Sequence, residues 1–285
     1  MNKLNTAKRA AILKALCEGV SVSATSRLTG ASKVTILRLL EAIGPAALAY
    51  QNAAFRNLPT QRVQADEQWA FIYSKDRNTP PELRETGERG DCWTWVAIDA
   101  DSKLVITWRV GRRDAENAVI FMDDLAARVK GRIQLTTDAL GAYFRAVEQA
   151  FGIHGVDYAR LVKVFGQSFE SGPSRRYSPA QVVGTEVLPG MGDPDPKHIS
   201  TSFVERVNLT TRMQNRRFTR LTNAFSRKLA NHMHAIALHF FYYNFCKAHA
   251  SLTKTAGGIH RTPAMAAGVT DHVWTLDEFV GLLGD

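Results

Sequence analysis

The chain has 285 residues, 45% of them AVILMFWYC and 22% charged, with a formal net charge of +9; this excludes a disordered or low-complexity protein and supplies core for one or two domains. Three widely separated cysteines, Cys17, Cys92 and Cys246, exclude a disulfide framework and a C-x-x-C metal knuckle and point to a reducing compartment. The start "MNKLNTAKRA" lacks the apolar core of a secretory signal, and no stretch approaches the roughly eighteen apolar residues that span a bilayer, so the expectation is a soluble cytoplasmic protein with no membrane partner.

The charge is unevenly placed. Residues 1–62 hold nine Lys and Arg against Glu18 and Glu41, and residues 203–228 hold seven against Glu205 alone, while the stretch between is slightly acidic. Two cationic segments flanking a carboxylate-bearing middle suit a polyanion such as DNA.

In chain order, residues 6–43 read as three short helices, broken at Gly19 and Gly30. The third, "SKVTILRLLEAIG", places Ile36, Leu40 and Ile43 on one face and Ser32, Thr35 and Arg38 on the other. Helix, glycine turn and a helix with a small-polar and basic outer face make a helix-turn-helix pattern over 1–50, whose second helix enters the major groove through Ser32, Lys33, Thr35 and Arg38. Pro45, Pro59 and "NAAFRN" mark residues 44–62, and 51–62 in particular, as a linker.

The period then changes to two. "RVQADEQWAFIYSK" reads as a strand, and "CWTWVAIDADSKLVITWRVG" as a hairpin turning at Asp101-Ser102. An amphipathic helix over 114–131 follows, then the buried strand "RIQLTTD", the helix "ALGAYFRAVEQAFG" and a fifth strand, "VDYARLVKVFG". Residues 166–199 lose periodicity and fill with Pro, Gly and Ser. An arginine-lined helix over 198–221 and a long amphipathic helix over 227–252 complete a mixed five-stranded α/β plan with flanking helices. This α/β domain spans 63–250, and a C-terminal tail follows over 251–285.

Carboxylates at strand ends are a prospective Mg2+ site, because hard cations take oxygen ligands; Asp66, Asp99 and Asp138 are the candidates. Strand alternation puts Asp66 and Glu67 on opposite faces, so that only one of them joins a given site. Each residue also has a bland alternative. Asp99 reads as a turn residue, Asp138 as a helix N-cap, and Ser202-Phe203-Val204-Glu205 fits a capping box. His232, His234, His239 and His249 lack the spacing of a helical zinc site, and the tryptophans of the strands read as core. Tyr143 has no activating surroundings in sequence for a covalent nucleophile.

"ADEQWAF", "WTWVAIDADSKLV", "TTDALGAY" and "STSFVERVNLTTRM", in this order, with the closing "FFYYNFCKAHASL", resemble the Asp-Asp-Glu (DDE) transposases of bacterial insertion sequences, in particular the insertion-sequence-one family. The resemblance covers nearly the whole chain and implies an RNase H-like fold of the retroviral-integrase superfamily. It implies that Asp66, Asp138 and Glu205 are the catalytic residues and the ligands of two Mg2+ or Mn2+ ions, with Asn208, Arg212 and Arg216 on DNA along the face of the Glu205 helix. The 66 residues between Asp138 and Glu205 are about twice the spacing usual in the superfamily, which makes 166–199 an insertion. The implied activity is binding of the element's terminal inverted repeats, metal-dependent strand cleavage and strand transfer, by a homo-oligomer on double-stranded DNA at the nucleoid. The alternatives are a catalytically silent DNA-binding protein and an RNase H-like nuclease that only hydrolyses.

Overall fold

The computed structural model describes residues 4–166, 182–219 and 222–284. Helices α1 (Thr6–Cys17), α2 (Val22–Thr29) and α3 (Lys33–Ala54) begin on Asn5, Ser21 and Ser32, whose side chains each accept a backbone N–H of the first turn. α2 ends at Gly30 with φ 66°, the left-handed conformation that glycine adopts without steric cost.

α3 corrects one expectation: it runs through Pro45 to Ala54, so much of the stretch read as linker is helical. Proline removes one hydrogen bond, but the alanine-rich "PAALAYQNAA" favours helix on the far side. Packing against α8 (Leu229–Phe241) holds the two halves in line. At Gly44 the helices are so close that a Cβ would lie 2.7 Å from His234 Cβ.

The sheet has six strands, not five: β1 (Arg62–Ile72), β2 (Gly90–Asp99), β3 (Val105–Gly111), β4 (Ile133–Thr137), β5 (Val156–Phe165) and β6 (Val182–Met191). Their order is β3-β2-β1-β4-β5-β6. β1, β2 and β3 form an antiparallel meander, β4 and β5 run parallel to β1, and β6 returns antiparallel to β5. The first five strands are those expected; β6 is built from part of the stretch read as structureless. Pro189, Gly184 and Gly190 hide its strand character in sequence, and most of its side chains are exposed because it is an edge. Residues 167–181, which include "PSRRYSP", lie outside the described residues.

α4 (Pro81–Glu85) lies in the loop between β1 and β2. α5 (Ala115–Ala126) and α6 (Gly141–Phe151) cover one face of the sheet, packing Phe121, Met122, Tyr143 and Val147 with Ala65, Trp95 and Leu135. α7 (Ser202–Gln214) and α8 cover the other, where Val204, Val207, Ile236 and Phe240 meet Val96, Ile98 and Val105. α8 is apolar on both sides, and its Ala235, Leu238 and Phe241 belong to the cluster that also holds Ile12, Ile36 and Leu40 of the N-terminal helices. The expected long second helix breaks at a π-turn over Tyr242–Cys246, beyond which come α9 (Ala250–Thr255), α10 (Pro263–Ala266) and α11 (Leu276–Gly281). α11 packs on α1 and stacks Phe279 on Phe241, with ring centroids 3.9 Å apart.

Candidate active site

The parallel pairing of β1 with β4 ends at Ala65 and Thr137, and Asp138 follows directly. From Asp66 to Phe71, β1 pairs with no described residue on that side, until Ile72 forms an isolated bridge with Ser226. The side chains of both Asp66 and Glu67 turn around this open edge, and carboxylate oxygens of Asp66, Glu67 and Asp138 lie within 4.8 Å of one another. Asp66 and Glu67 stand on opposite faces, as alternation requires, yet an oxygen of each reaches this acidic group. β1 stays paired with β2 here, and only its β4 side is open.

Asp66 and Asp138 line a cleft of about 600 Å3 with Glu205, Arg113, Thr201, Lys163 and Phe165. The three carboxylates singled out in sequence therefore meet in one cleft. Glu205 stands apart from the tight acidic group: its Oε1 accepts from Thr201 Oγ1 at 2.6 Å and pairs with Lys163 of β5.

The capping-box alternative for Glu205 is not what forms. The N-cap is Thr201, and Ser202 N donates to Ser200 Oγ. The free N–H groups of Phe203 and Val204 instead donate to Gln64 Oε1 of β1, at 2.8 and 3.2 Å. Gln68 Nε2 of the same strand donates to Asn208 O at 3.0 Å, and Asn208 Nδ2 donates to Asp66 Oδ2 at 2.8 Å. Gln64, Asp66 and Gln68 are alternate residues on one face of β1, and together they fix where α7 holds Glu205.

On the other face, Glu67 is buried. Tyr143 Oη donates to its Oε2 at 2.9 Å and Arg113 Nε to its Oε1 at 2.6 Å; Arg113 also reaches Asp138 Oδ2 at 3.3 Å. Tyr143 is thus a buried donor to a carboxylate. Asp138 Oδ1 accepts Leu140 N at 2.9 Å, so it also fixes the entry into α6.

Crowding of carboxylates out of water raises their proton affinity. Burial, and next the Asp138 charge, pushes the Asp66 carboxyl up to about 6 against the Asn208 hydrogen bond. Burial and Asp138 push Glu67 up to about 7 despite Arg113. An all-oxygen donor set carrying excess negative charge, with the Asn208 Oδ1 acceptor buried and unpartnered beside it, fits a hard divalent cation.

The remaining expectations fall elsewhere. Asp99 is a turn residue, accepting from Asp101 N and Ser102 Oγ. α7 ends at Gln214, so Arg216 is not on the Glu205 helix as expected; Asn215 breaks it and Arg216 lies in a 3-10 turn, Arg216–Phe218. Arg212 is in the last turn of α7, and Arg220 lies outside the described residues. Arg216 lines a second cavity of about 320 Å3 together with Lys33 of α3, Arg217 and Arg227, so two expected DNA contacts from distant segments share one surface. Ser32 and Thr35 bond each other across the first turn of α3, at 2.8 Å between their oxygens, and Arg38 is exposed. His232 and His239 are buried against Ser226 and Thr211, as core histidines are.

Gln64, Arg113 and Lys163 were not singled out as contributors, and Glu67 was weighed only as the alternative to Asp66. The signal for the first was present: Gln64, Asp66 and Gln68 on a strand face otherwise available for core mark that face as polar by design of the fold.

No family model and no curated protein matches the chain. Among solved structures it is similar to a Mos1 strand transfer complex, at 13% identity and a TM-score of 0.25, covering 55% of this chain and 58% of that one. It is likewise similar to a Mos1 mariner paired end complex with Mn, at 12% identity and a TM-score of 0.23, covering 55% and 59%. The chain thus spans under two thirds of each. What the site can do follows from its own groups.

Proposed function

We propose that this chain is a DNA transposase of the Asp-Asp-Glu type, akin to the insertion-sequence-one family, in which Asp66, Asp138 and Glu205 form the catalytic set. The observation that carries this reading is the meeting of these three residues, from β1, the end of β4 and α7, in one cleft that also holds Lys163 and Arg113. Asp66, Asp138 and Glu205 would hold two divalent cations, Mg2+ or Mn2+, which supply Lewis-acid polarisation at phosphorus.

The chain's own groups do the rest. Asn208 orients Asp66 by hydrogen bond, Gln64 fixes the first turn of α7, and Arg113 offsets the charge that Glu67 adds behind Asp138. Lys163, paired with Glu205 at the mouth of the cleft, is placed to meet a scissile phosphate. In the first reaction a water oxygen bonds to phosphorus, the bond from phosphorus to the 3′ oxygen breaks, and that oxygen leaves as a 3′-OH after gaining a proton. In the second the 3′-OH attacks target DNA, exchanging one phosphodiester for another.

The N-terminal helices act as a helix-turn-helix that holds the inverted repeats through Ser32, Lys33, Thr35 and Arg38, with Asn208, Arg212 and Arg216 on the backbone. Salt-sensitive affinity follows from such contacts. Pairing two ends calls for a homo-oligomer on DNA, at the nucleoid of a bacterial cytoplasm.

The test is to incubate the protein, Mg2+ and linear DNA bearing the element's ends with a plasmid target. Joined products support transposition. Cleavage without joining leaves a hydrolytic nuclease, and DNA retardation with neither leaves a DNA-binding protein.

A further inference from the structure

α7 shows different faces to two cavities. Glu205 points to the acidic cleft, whereas Phe203, Arg206, Thr210 and Met213, spaced three and four apart, line a separate cavity of about 410 Å3. Its other walls are the β2–β3 turn, carrying Lys103, and the chain after α8, carrying Tyr243, Lys247 and His249. Three elements distant in sequence thus deliver three cations and a histidine to one groove, and among the described residues no carboxylate lines it.

Two further observations show that this clustering is built. Lys103 sits at φ 63°, a left-handed conformation that turns usually give to glycine or asparagine. From there its ammonium lies 3.2 Å from the centroid of the Phe203 ring, at the edge of the groove. The nearby acids are already engaged: Asp101 by Arg62, and Asp99 by Ser102 and the turn backbone. His249 is also held below its ordinary value, first by burial and then by Lys103, Arg206 and Lys247, while Asp101 and Asp99 partly offset the charge of Lys103, whose ammonium also donates to Ala100 O. Exposed Met213 and half-exposed Phe203 add apolar surface to the rim. Cations interleaved with aromatic and apolar side chains suit a sugar-phosphate backbone better than an isolated anion.

We propose that the groove of Lys103, Arg206, Lys247 and His249 binds the phosphate backbone of a second DNA segment, across α7 from the segment that enters the acidic cleft. The name "second" rests on the reading of that cleft as a DNA-processing site; the binding of DNA phosphates by the groove does not. The segment is either target DNA or a distal part of the element's own end, and the chemistry of recognition is the same.

The test uses full-length protein with Arg206→Glu/Lys247→Glu, and Arg145→Glu/Lys130→Glu as a charge-matched control at exposed positions outside the groove. DNA affinity is measured against salt, and metal-dependent end cleavage and joining to a separate plasmid are measured in parallel. The groove variant is expected to lower the slope of log affinity against log salt by about two, with the control near wild type. Joining reduced roughly tenfold or more, with cleavage retained, assigns target DNA; equal loss of both assigns the distal end. An unchanged salt slope, or the same drop in the control, overturns the proposal. If the wild-type protein cleaves no DNA with any metal, the reading of the cleft fails, while the salt slope still decides the groove.

Discussion

Asn208 Nδ2 on α7 donates to Asp66 Oδ2 on β1 at 2.8 Å, one helical turn beyond Glu205. This bond ties the helix that carries one carboxylate to the strand that carries another. Asn208→Ala is expected to lower divalent-metal affinity by roughly ten- to a hundredfold, the usual range for groups that orient metal ligands. Calorimetric titration with Mn2+ measures this; affinity equal to wild type would show that Asp66 needs no such support.

Gln64 Oε1 accepts two backbone N–H groups at the start of α7. Gln64→Leu leaves both unpartnered beside Val204, which is buried. The loss expected is about 1–2 kcal/mol, as for removal of a helix cap. Urea unfolding of the variant against wild type checks it.

The acidic group makes stability depend on pH and metal together. Asp66 and Glu67 titrate near 6 and 7 in the folded protein, above their ordinary carboxylate range. The folded state therefore holds protons that the unfolded chain has released, and ionising these groups costs stability as pH rises through about 4 to 7. A divalent cation replaces those protons. Mg2+ is expected to raise the melting temperature clearly at pH 8 and little at pH 5, with a stabilisation of about 2.7 kcal/mol at a hundred times its dissociation constant. The rise should vanish in Asp138→Asn.

Acid stability has a separate origin. Burial pushes His232 and His239 down to about 3, below their ordinary value near 6.5. Both stay neutral in the folded protein while the unfolded chain takes up protons. Stability is complete above about 6.5 and falls as pH drops towards 3, by about 1.4 kcal/mol per pH unit for each histidine. His239→Gln should flatten the lower part of a plot of unfolding free energy against pH.

What the sequence made legible was what local period determines. β1, the β2–β3 hairpin turning at Asp101 and Ser102, and α5 follow directly from alternation and amphipathic spacing. β6 did not, because an edge strand buries little and so shows no apolar pattern. Helix α3 continued through Pro45 because tertiary packing on α8 outweighs one lost hydrogen bond. At the site, Asp66, Asp138 and Glu205 could be named from their motifs and do share a cleft. Glu67 lies on the opposite face from Asp66, as alternation predicts, and its approach to the acidic group comes where β4 ends at Thr137, which period alone does not show. Lys163 and Arg113 reach the carboxylates from β5 and from the chain beyond β3, a closeness that only the folded topology creates.

Asp66, Asp138 and Glu205 are proposed to act as one metal-dependent site on DNA, and Glu205 is the most discriminating of them because its carboxylate lies outside the tight acidic group. The measurement is the rate of metal-dependent cleavage of DNA bearing the element's ends, for Asp66→Asn, Asp138→Asn, Glu205→Gln and Glu67→Gln, each checked for folding. The first three are expected to lose roughly a thousandfold or more, with little further loss when combined, because such groups work as a unit. Glu67→Gln is expected to lose about tenfold to a hundredfold, as a group that acts through its neighbours. Wild-type rates in Glu205→Gln, with activity abolished in Glu67→Gln, would contradict the account and move the site to Asp66, Glu67 and Asp138.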